Sequence, residues 1–573
     1  MPCCELHPRV MTPEDEQREL EALPADWWPP GVLERLSRVA AFYDGAAVFL
    51  TGATGFVGTL VLEKLLRSCP GVSTVYVLVR HNKGVPLRER LRSHLDKVVF
   101  SKAREACPDY LRKVVAVAGD CTQPGLGISP ADAAELTGRV SVVFHVAATV
   151  RFDADLWTAT VTNVGSTCEV IALAKRMPNL NEQCCVHTVR SEARTSYCVV
   201  IAGHNYYRRL DEVVTSRLQA FVYMSTAYSH APRDEIDEKF YPPALKAEEL
   251  LKLISVMDDE QLAQLLPLLM GDWPNTYTFT KAIAEDLIHS EAVGLPASII
   301  RPSIVSSTYQ EPLALWVGNM YGPTAAGAGS SVGLLHAMHM DRSALVDGVP
   351  ADMVANATLG CAWDTWCRHS SQTPTQRATA EPVIYNYVST PRHPISWDLL
   401  CRYVQKGTDY PSIRNLWVAY VVLLKEKYLY VIAAVVLHLI PAMIVDSFLY
   451  LKGMKPILWN MYSKIHMVSQ ALEPFWTKEW TFKDDNVVSL LVRLGEADRK
   501  LFPFDIADYD WECHLANTMR GFRLYIMNES FDNLEAARKR YHRLLVLHYT
   551  LLAIASAVLL LVLWRILAAH IGL

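Results

Sequence analysis

The sequence has no excess of positive charge: its 55 Lys and Arg are outweighed by 60 Asp and Glu, a formal net charge of −5 over 573 residues. Gripping a phosphate backbone needs a basic field, so nucleic acid is excluded as a partner. The 13 cysteines lack the paired spacing of a zinc site, since neither Cys3-Cys4 nor Cys184-Cys185 is followed by His-x₃₋₅-His at ligand distance. No metal is expected, and the thiols read as reduced. The N-terminus lacks both the basic cluster and the apolar run of a secretory signal, which places the bulk of the chain in the cytosol. Residues 1–44 read as a polar, poorly ordered leader.

Apolar sequence is plentiful: hydrophobic residues make up 51% and charged ones 20%. At this length two or more domains are expected. LLVLHYTLLAIASAVLLLVLW, from Leu544 to Trp564, holds one His and no formal charge over 21 residues, about the length that crosses ~30 Å of hydrocarbon. It reads as a transmembrane helix. RKRYHR precedes it and Arg565 alone follows, which leaves the N-terminal side cytosolic. A second apolar stretch, YLYVIAAVVLHLIPAMIV at 428–445, contains His438 and Pro441 and stops at Asp446. A membrane-embedded or interfacial segment and a buried core helix are equally good readings of it.

AAVFLTGATGFVGTLVLEKLLRSCP, residues 46–70, passes from an apolar run through a glycine turn into helical spacing. Gly52 suits the tight turn, Gly55 a close approach of backbone to a pyrophosphate, and Gly58 close helix–strand packing. Thr54, Phe56 and Val57 complete this cofactor-binding turn. The next strand, TVYVLVR, ends in Arg80, where an acidic residue would select NAD; Arg suits a 2′-phosphate and points to NADPH. Two later strand ends supply Asp120, within reach of adenine, and Ala147 and Ala148, small enough to leave the cofactor room. AFVYMSTAYS then brings Ser225 and Thr226 to the same edge. Apolar runs alternating with helical segments give an α/β fold: a Rossmann-type, doubly wound parallel sheet with ligands at the carboxyl ends of its strands.

YTFTKAIAED contains the only Tyr-x-x-x-Lys of the chain, Tyr277 and Lys281. Four residues apart on a helix they share a face. A phenol titrates near ~10, and a neighbouring ammonium favours the phenolate, so the pair reads as a proton donor with its tuner.

The glycine turn, the Ser/Thr strand end and Tyr-x-x-x-Lys resemble the extended short-chain dehydrogenases/reductases. TGATGFVG, FHVAATVRFD, FVYMSTAYS, YTFTKAIAE, SIIRPSIV and EPLALWVGNMYGPT, followed by PVIYNYVS, HPISW, HLIPAMIVD, YSKIH, LFPFDI and GFRLY, are more closely similar to fatty acyl-CoA reductases of the male-sterility type. The resemblance implies a reductase domain over 45–395, a mainly helical C-terminal (sterile) domain over 396–530, and the membrane helix at 544–564. It implies that Tyr277 protonates a carbonyl oxygen as hydride arrives from NADPH, and that Lys281 binds the nicotinamide ribose. Thr226 or Ser225 would bond the substrate oxygen, Pro302 would line the cofactor, and Asn163 would hold Lys281 through water or serve helix packing. The implied reaction takes a fatty acyl-CoA through a hemithioacetal and an aldehyde to a primary alcohol, using two NADPH. Membrane lipid is the implied partner, the endoplasmic reticulum the first membrane and the peroxisome the second; a homo-oligomer is compatible with it. A reductase of another carbonyl, such as a sterol, one that stops at the aldehyde, and an idle acyl- or NADPH-binding protein remain the alternatives.

Two segments depart from the family pattern. Residues 181–218 stand where the family passes almost directly from helix to strand, and read as retained intron or alternative splice sequence, or as a surface insertion. Ser330, Ser331 and His336 occupy a stretch in which family members carry Lys and Arg, which implies weaker binding of CoA phosphates.

Overall fold

Seven short apolar runs become the strands of one sheet: β1 Ala47–Thr51, β2 Thr74–Val79, β3 Val114–Ala118, β4 Val142–His145, β5 Ala220–Met224, β6 Ala297–Pro302 and β7 Val383–Tyr387. Every neighbouring pair is parallel, in the order β7-β6-β5-β4-β1-β2-β3. All five residues of β1 and of β5 are buried, as continuous apolar runs require when helices cover both faces. The order reverses between β1 and β4, and such switch points open a crevice at the strands' carboxyl ends. The doubly wound sheet read from the sequence is present. The computed structural model describes residues 37–81, 84–177, 200–201, 204–205, 218–406 and 409–571.

Two apolar layers cover the sheet. One holds α1, Phe56–Ser68, and a later helix, Ala351–Ser371. The other holds α2 and α3. Helix α2 runs from Leu156–Thr160 through a π-turn, Val161–Gly165, into Ser166–Ala174; α3 is Thr276–Glu291.

The expected boundary between 395 and 396 cuts a structural unit. Ile395–Ser396 is one strand, antiparallel to Leu345–Val346. Thr481–Phe482 pairs with Glu235–Ile236, and Ala337–His339 with Val422–Leu424. Phe475, Trp476, Leu490, Phe502 and Trp511 belong to the same apolar cluster as β1 and α1. The C-terminal region is therefore mainly helical, as expected, but it completes the core of the first.

The leader also ends earlier than expected. Ser37–Asp44 is folded: Arg38–Phe42 is a helical turn with Val39, Ala40 and Phe42 buried. The Ser37 hydroxyl donates to Asp498 Oδ1 at 2.6 Å and the Val39 N–H to the same oxygen at 3.0 Å. The unexpected segment 181–218 lies outside the described residues except for Val200, Ile201, His204, Asn205 and Leu218.

Three further helices matter below: α4, Lys427–Leu451; α5, Leu458–Thr477; and α6, Leu534–Ile571, which carries the whole of 544–564. Helix α4 and the Phe531–Arg565 stretch of α6 are long and apolar enough to cross a membrane; none of the apolar window of α6 is buried.

Candidate active site

The glycine turn sits between β1 and α1. Gly52 has φ +75°, and a Cβ there would stand 2.6 Å from the Ala147 nitrogen at the end of β4. At Gly58 a Cβ would come within 2.1 Å of the Gly52 carbonyl oxygen, so helix and turn touch backbone to backbone. Helix α1 begins after Gly55 with no side-chain cap, leaving its first N–H groups for an anion. Thr54 and Gly55 are exposed, Phe56, Val57, Ala147 and Ala148 half-buried, and the Phe56 ring packs 5.4 Å from Trp316. A cradle that side chains would fill, an uncapped helix start and small residues on the adjoining strand end fit a dinucleotide.

Arg80 is exposed just beyond β2, its carbonyl accepting from the Arg90 guanidinium. Asp120 follows β3 with Oδ1 committed to its own turn, accepting from the Thr122 N–H at 3.0 Å and hydroxyl at 2.9 Å. Pro302 is buried as the last residue of β6. Each of these strand-end residues lies at a carboxyl edge, as read from the sequence.

Asn275 caps α3, its side chain accepting from the Thr278 N–H at 2.9 Å, and the Thr276 hydroxyl donates to the Ala154 carbonyl. Tyr277 thus stands in the first turn, half-buried, with the Phe152 ring edge-on at 5.7 Å. Phe152 lies 5.8 Å from Phe475 of α5, which packs edge-on against Tyr228 at 5.0 Å. The C-terminal region so contributes an aromatic wall to the site.

Burial pushes the Tyr277 phenol up to about 12, moderated by a hydrogen bond with the Thr226 side chain. This corrects the expected tuning: the phenol rises, and the Lys281 ammonium is not among the groups that shift it. Lys281 instead donates to the Met224 carbonyl at 2.7 Å and the Tyr223 hydroxyl at 3.2 Å, beneath the sheet edge. Burial pulls its pKa down to about 7, against the opposing pull of Glu285.

The structure separates Ser225 from Thr226. Thr226 is the one beside Tyr277, whereas Ser225 donates to Glu285 Oε1 at 2.5 Å and is turned away. Sequence reasoning missed Glu285. It follows Lys281 by one helical turn and is fully buried, ion-paired with Arg301 of β6 and in hydrogen-bond contact with His230 at 3.0 Å. Arg301 also donates to the carbonyls of Asp237 and Lys239. Burial raises the Glu285 carboxyl, but Arg301 and His230 outweigh it and hold the group well below the usual range. The spacing Tyr277, Lys281, Glu285 on one helix face was the available signal.

Asn163 lies in the π-turn of α2. Its Oδ1 accepts from the Thr149 N–H at 2.9 Å, and its Nδ2 donates to Thr280 of α3 at 3.0 Å. It joins α2 to α3 directly. His145, at the end of β4, is fully buried between Thr51 and Thr167, and burial lowers its pKa to about 3, keeping it neutral. His336 belongs to the core and not to a CoA-facing surface: it is 5% exposed, with its ring stacked on Tyr420 at 4.4 Å. Among the described residues no group of three or more His, Cys, Asp or Glu gathers to hold a metal ion.

Known proteins are similar to this chain in sequence. A family model described as male sterility protein, NAD-binding, matches residues 50–203 and 207–358, and a second, also described as male sterility protein, matches 437–529. "Fatty acyl-CoA reductase wat" of Drosophila melanogaster is 35% identical over 525 residues, covering 91% of this chain and 92% of that protein. "Fatty acyl-CoA reductase 1" of Xenopus laevis and of Homo sapiens are each 31% identical over 533 residues, covering 93% and 94%. Among solved structures, the terminal R domain from the myxalamid PKS-NRPS biosynthetic pathway has a TM-score of 0.49 at 18% identity, covering 83% of this chain and 91% of that one. With both male-sterility segments matched in order and relatives above 30% identity over nine-tenths of their lengths, the chain belongs to the fatty acyl-CoA reductase family.

Proposed function

We propose that this chain reduces a fatty acyl-CoA to a primary alcohol with NADPH, and that Tyr277 is its proton donor. The observation that carries this reading is a half-buried phenol, kept protonated by burial, hydrogen-bonded with Thr226 and walled by Phe152 and Phe475. When bound, NADPH supplies the hydride. Tyr277 Oη gives the proton to the carbonyl oxygen, and Thr226 Oγ1, beside it, orients that oxygen and steadies the phenolate left behind. Reaching the alcohol takes two hydrides and two protons and releases CoA; the proton donor is recharged between the two reductions.

Lys281 sits one turn along from Tyr277, anchored on the carbonyl of Met224, the residue before Ser225 and Thr226. It is the candidate for the ribose hydroxyls, and its suppressed pKa means that a neighbouring hydroxyl or phosphate oxygen would restore its charge. Arg80, exposed at the end of β2, is the candidate for the 2′-phosphate that separates NADPH from NADH. Helix α6 is the membrane anchor, with the reductase region on the cytosolic side of the endoplasmic reticulum, or of the peroxisome. A lipid surface suits an acyl substrate and a fatty alcohol product.

The test is NADPH oxidation by membranes carrying the wild-type chain or Tyr277→Phe, with acyl-CoAs of graded length and gas chromatography of the products. Alcohol from the wild type alone, at two NADPH each, supports the reading. Aldehyde as end product would cut the reaction to its first half, and equal turnover by Tyr277→Phe would remove Tyr277 from it.

A further inference from the structure

Helix α4 is neither a core helix nor a free span. Its buried stripe is Ala434, His438, Ala442 and Asp446, and the rest of its circumference is largely open. Ile432, Met443, Ile444, Phe448 and Leu451 are 59%, 56%, 66%, 59% and 82% exposed. From Tyr428 to Leu451 the one formal charge is Asp446. That carboxylate is turned inward, accepting from the N–H groups of Ile457, Leu458 and Trp459 at 2.8–3.0 Å and so capping α5. The outward face of α4 carries no charge, and a surface of this kind is too apolar for water.

We propose that the hairpin of α4 and α5 enters one leaflet of the bilayer by the open face of α4, a second membrane contact beside α6. The partner is lipid because the open face is uncharged and α4 is tied through one short segment to the root of the anchor. The Tyr541 hydroxyl at the root of α6 accepts from the Ala419 N–H at 3.1 Å, and Trp417 Nε1 donates to His548 Nδ1 at 3.1 Å. Tyr420, in that same segment, stacks on His336, and the N–H groups of His336 and Ala337 donate to His438 of α4 at 2.9 and 3.2 Å. The two apolar elements thus rise from one platform.

The hairpin lies flat and does not cross. His438 holds the middle of α4 against the strand Ala337–His339 and its partner Val422–Leu424. A crossing helix would take this short sheet, with unpaired strand edges, into hydrocarbon. Lys452 and Lys455, exposed at the turn, are placed for headgroup phosphates. Helix α5 then leads inward to Phe475, 5.8 Å from Phe152, so the leaflet and the proposed site share one helix.

The full chain in microsomal membranes provides the test, with p-benzoylphenylalanine placed at Ile444 or Phe448, at Leu559 in α6 as reference, and at Val492, 72% exposed away from the hairpin. After irradiation, lipid adducts at Ile444 and Phe448 should approach those at Leu559 and exceed those at Val492 by about tenfold, the direction expected of side chains sunk among acyl chains. Adducts at Leu559 without adducts at Ile444 and Phe448 would overturn the proposal, as would cross-links there to a second copy of the chain. A glycosylation acceptor built by Met454→Asn with Pro456→Thr distinguishes the flat hairpin from a span. It should stay unmodified while an acceptor extended beyond Leu573 is glycosylated; modification at the turn would show that α4 crosses. Unchanged trypsin-resistant fragments show that each variant is folded.

Discussion

A phenol raised to about 12 stays protonated throughout the physiological range, so Tyr277 is ready as an acid and leaves little phenolate waiting. Tyr277→Phe should lower turnover by ~10²–10⁴, the usual weight of a positioned proton donor, while fluorescence titration of NADPH binding is unchanged. Lys281 behaves in the opposite sense. Its folded pKa of about 7 lies below the unfolded value of an ordinary lysine, so between about 7 and ~10.4 the unfolded chain binds more protons than the folded one. Wild-type stability should therefore rise, relative to Lys281→Met, as pH climbs through that window, and the difference should be flat below it. Urea midpoints of the cofactor-free protein at pH 6 and pH 9 measure this; a difference that does not move would place the ammonium in contact with solvent. Gly58→Ala is a backbone clash, with the new methyl 2.1 Å from the Gly52 oxygen. It should weaken NADPH binding and cost ~1–3 kcal/mol, the usual range for an overpacked contact.

Helix α3 is fastened to the sheet through charge as well as apolar contact. Glu285, at its middle, meets Arg301 of β6, His230 and Ser225, partners 16, 55 and 60 residues away in sequence. Removing one charge strands the other in a dry site, which typically costs ~3–5 kcal/mol. Glu285→Gln should lose that order of stability in chemical denaturation, and should misplace Lys281 and Tyr277 because all three ride on one helix. Local signals made the strands, the glycine turn and Tyr277-Lys281 legible: each is a run or spacing within a few residues. They could not show which of Ser225 and Thr226 faces Tyr277. Adjacent residues leave a strand in different directions, and the choice is made by Glu285, which lies 60 residues from Ser225. The direction of the Tyr277 shift was missed for a similar reason. Spacing put an ammonium on the same face, but Met224 and Tyr223, from another strand, take it away.

The long apolar helix near the C-terminus was legible because composition alone defines it, whereas 428–445 stayed ambiguous because hydropathy does not say which side of a helix is covered. The inward stripe through His438 depends on His336, 102 residues earlier. The N-terminal boundary failed over a still longer separation: Ser37 and Asp498 are 461 residues apart, yet their side chains meet at 2.6 Å. Asp498 also accepts from the Gly495 N–H at 3.0 Å, so one carboxylate joins the start of the fold to a C-terminal turn. With strand pairs at Glu235–Ile236 and Leu345–Val346 also bridging the expected boundary, the reductase and C-terminal regions should unfold together. Calorimetry of the detergent-solubilised full chain should show a single transition for both. Asp498→Ala strands buried donors, each worth ~1–3 kcal/mol, and should move that transition down without dividing it. Two resolved transitions, with the variant shifting only the later one, would mean that the C-terminal region is a domain in its own right and that Asp498 stabilises that domain alone.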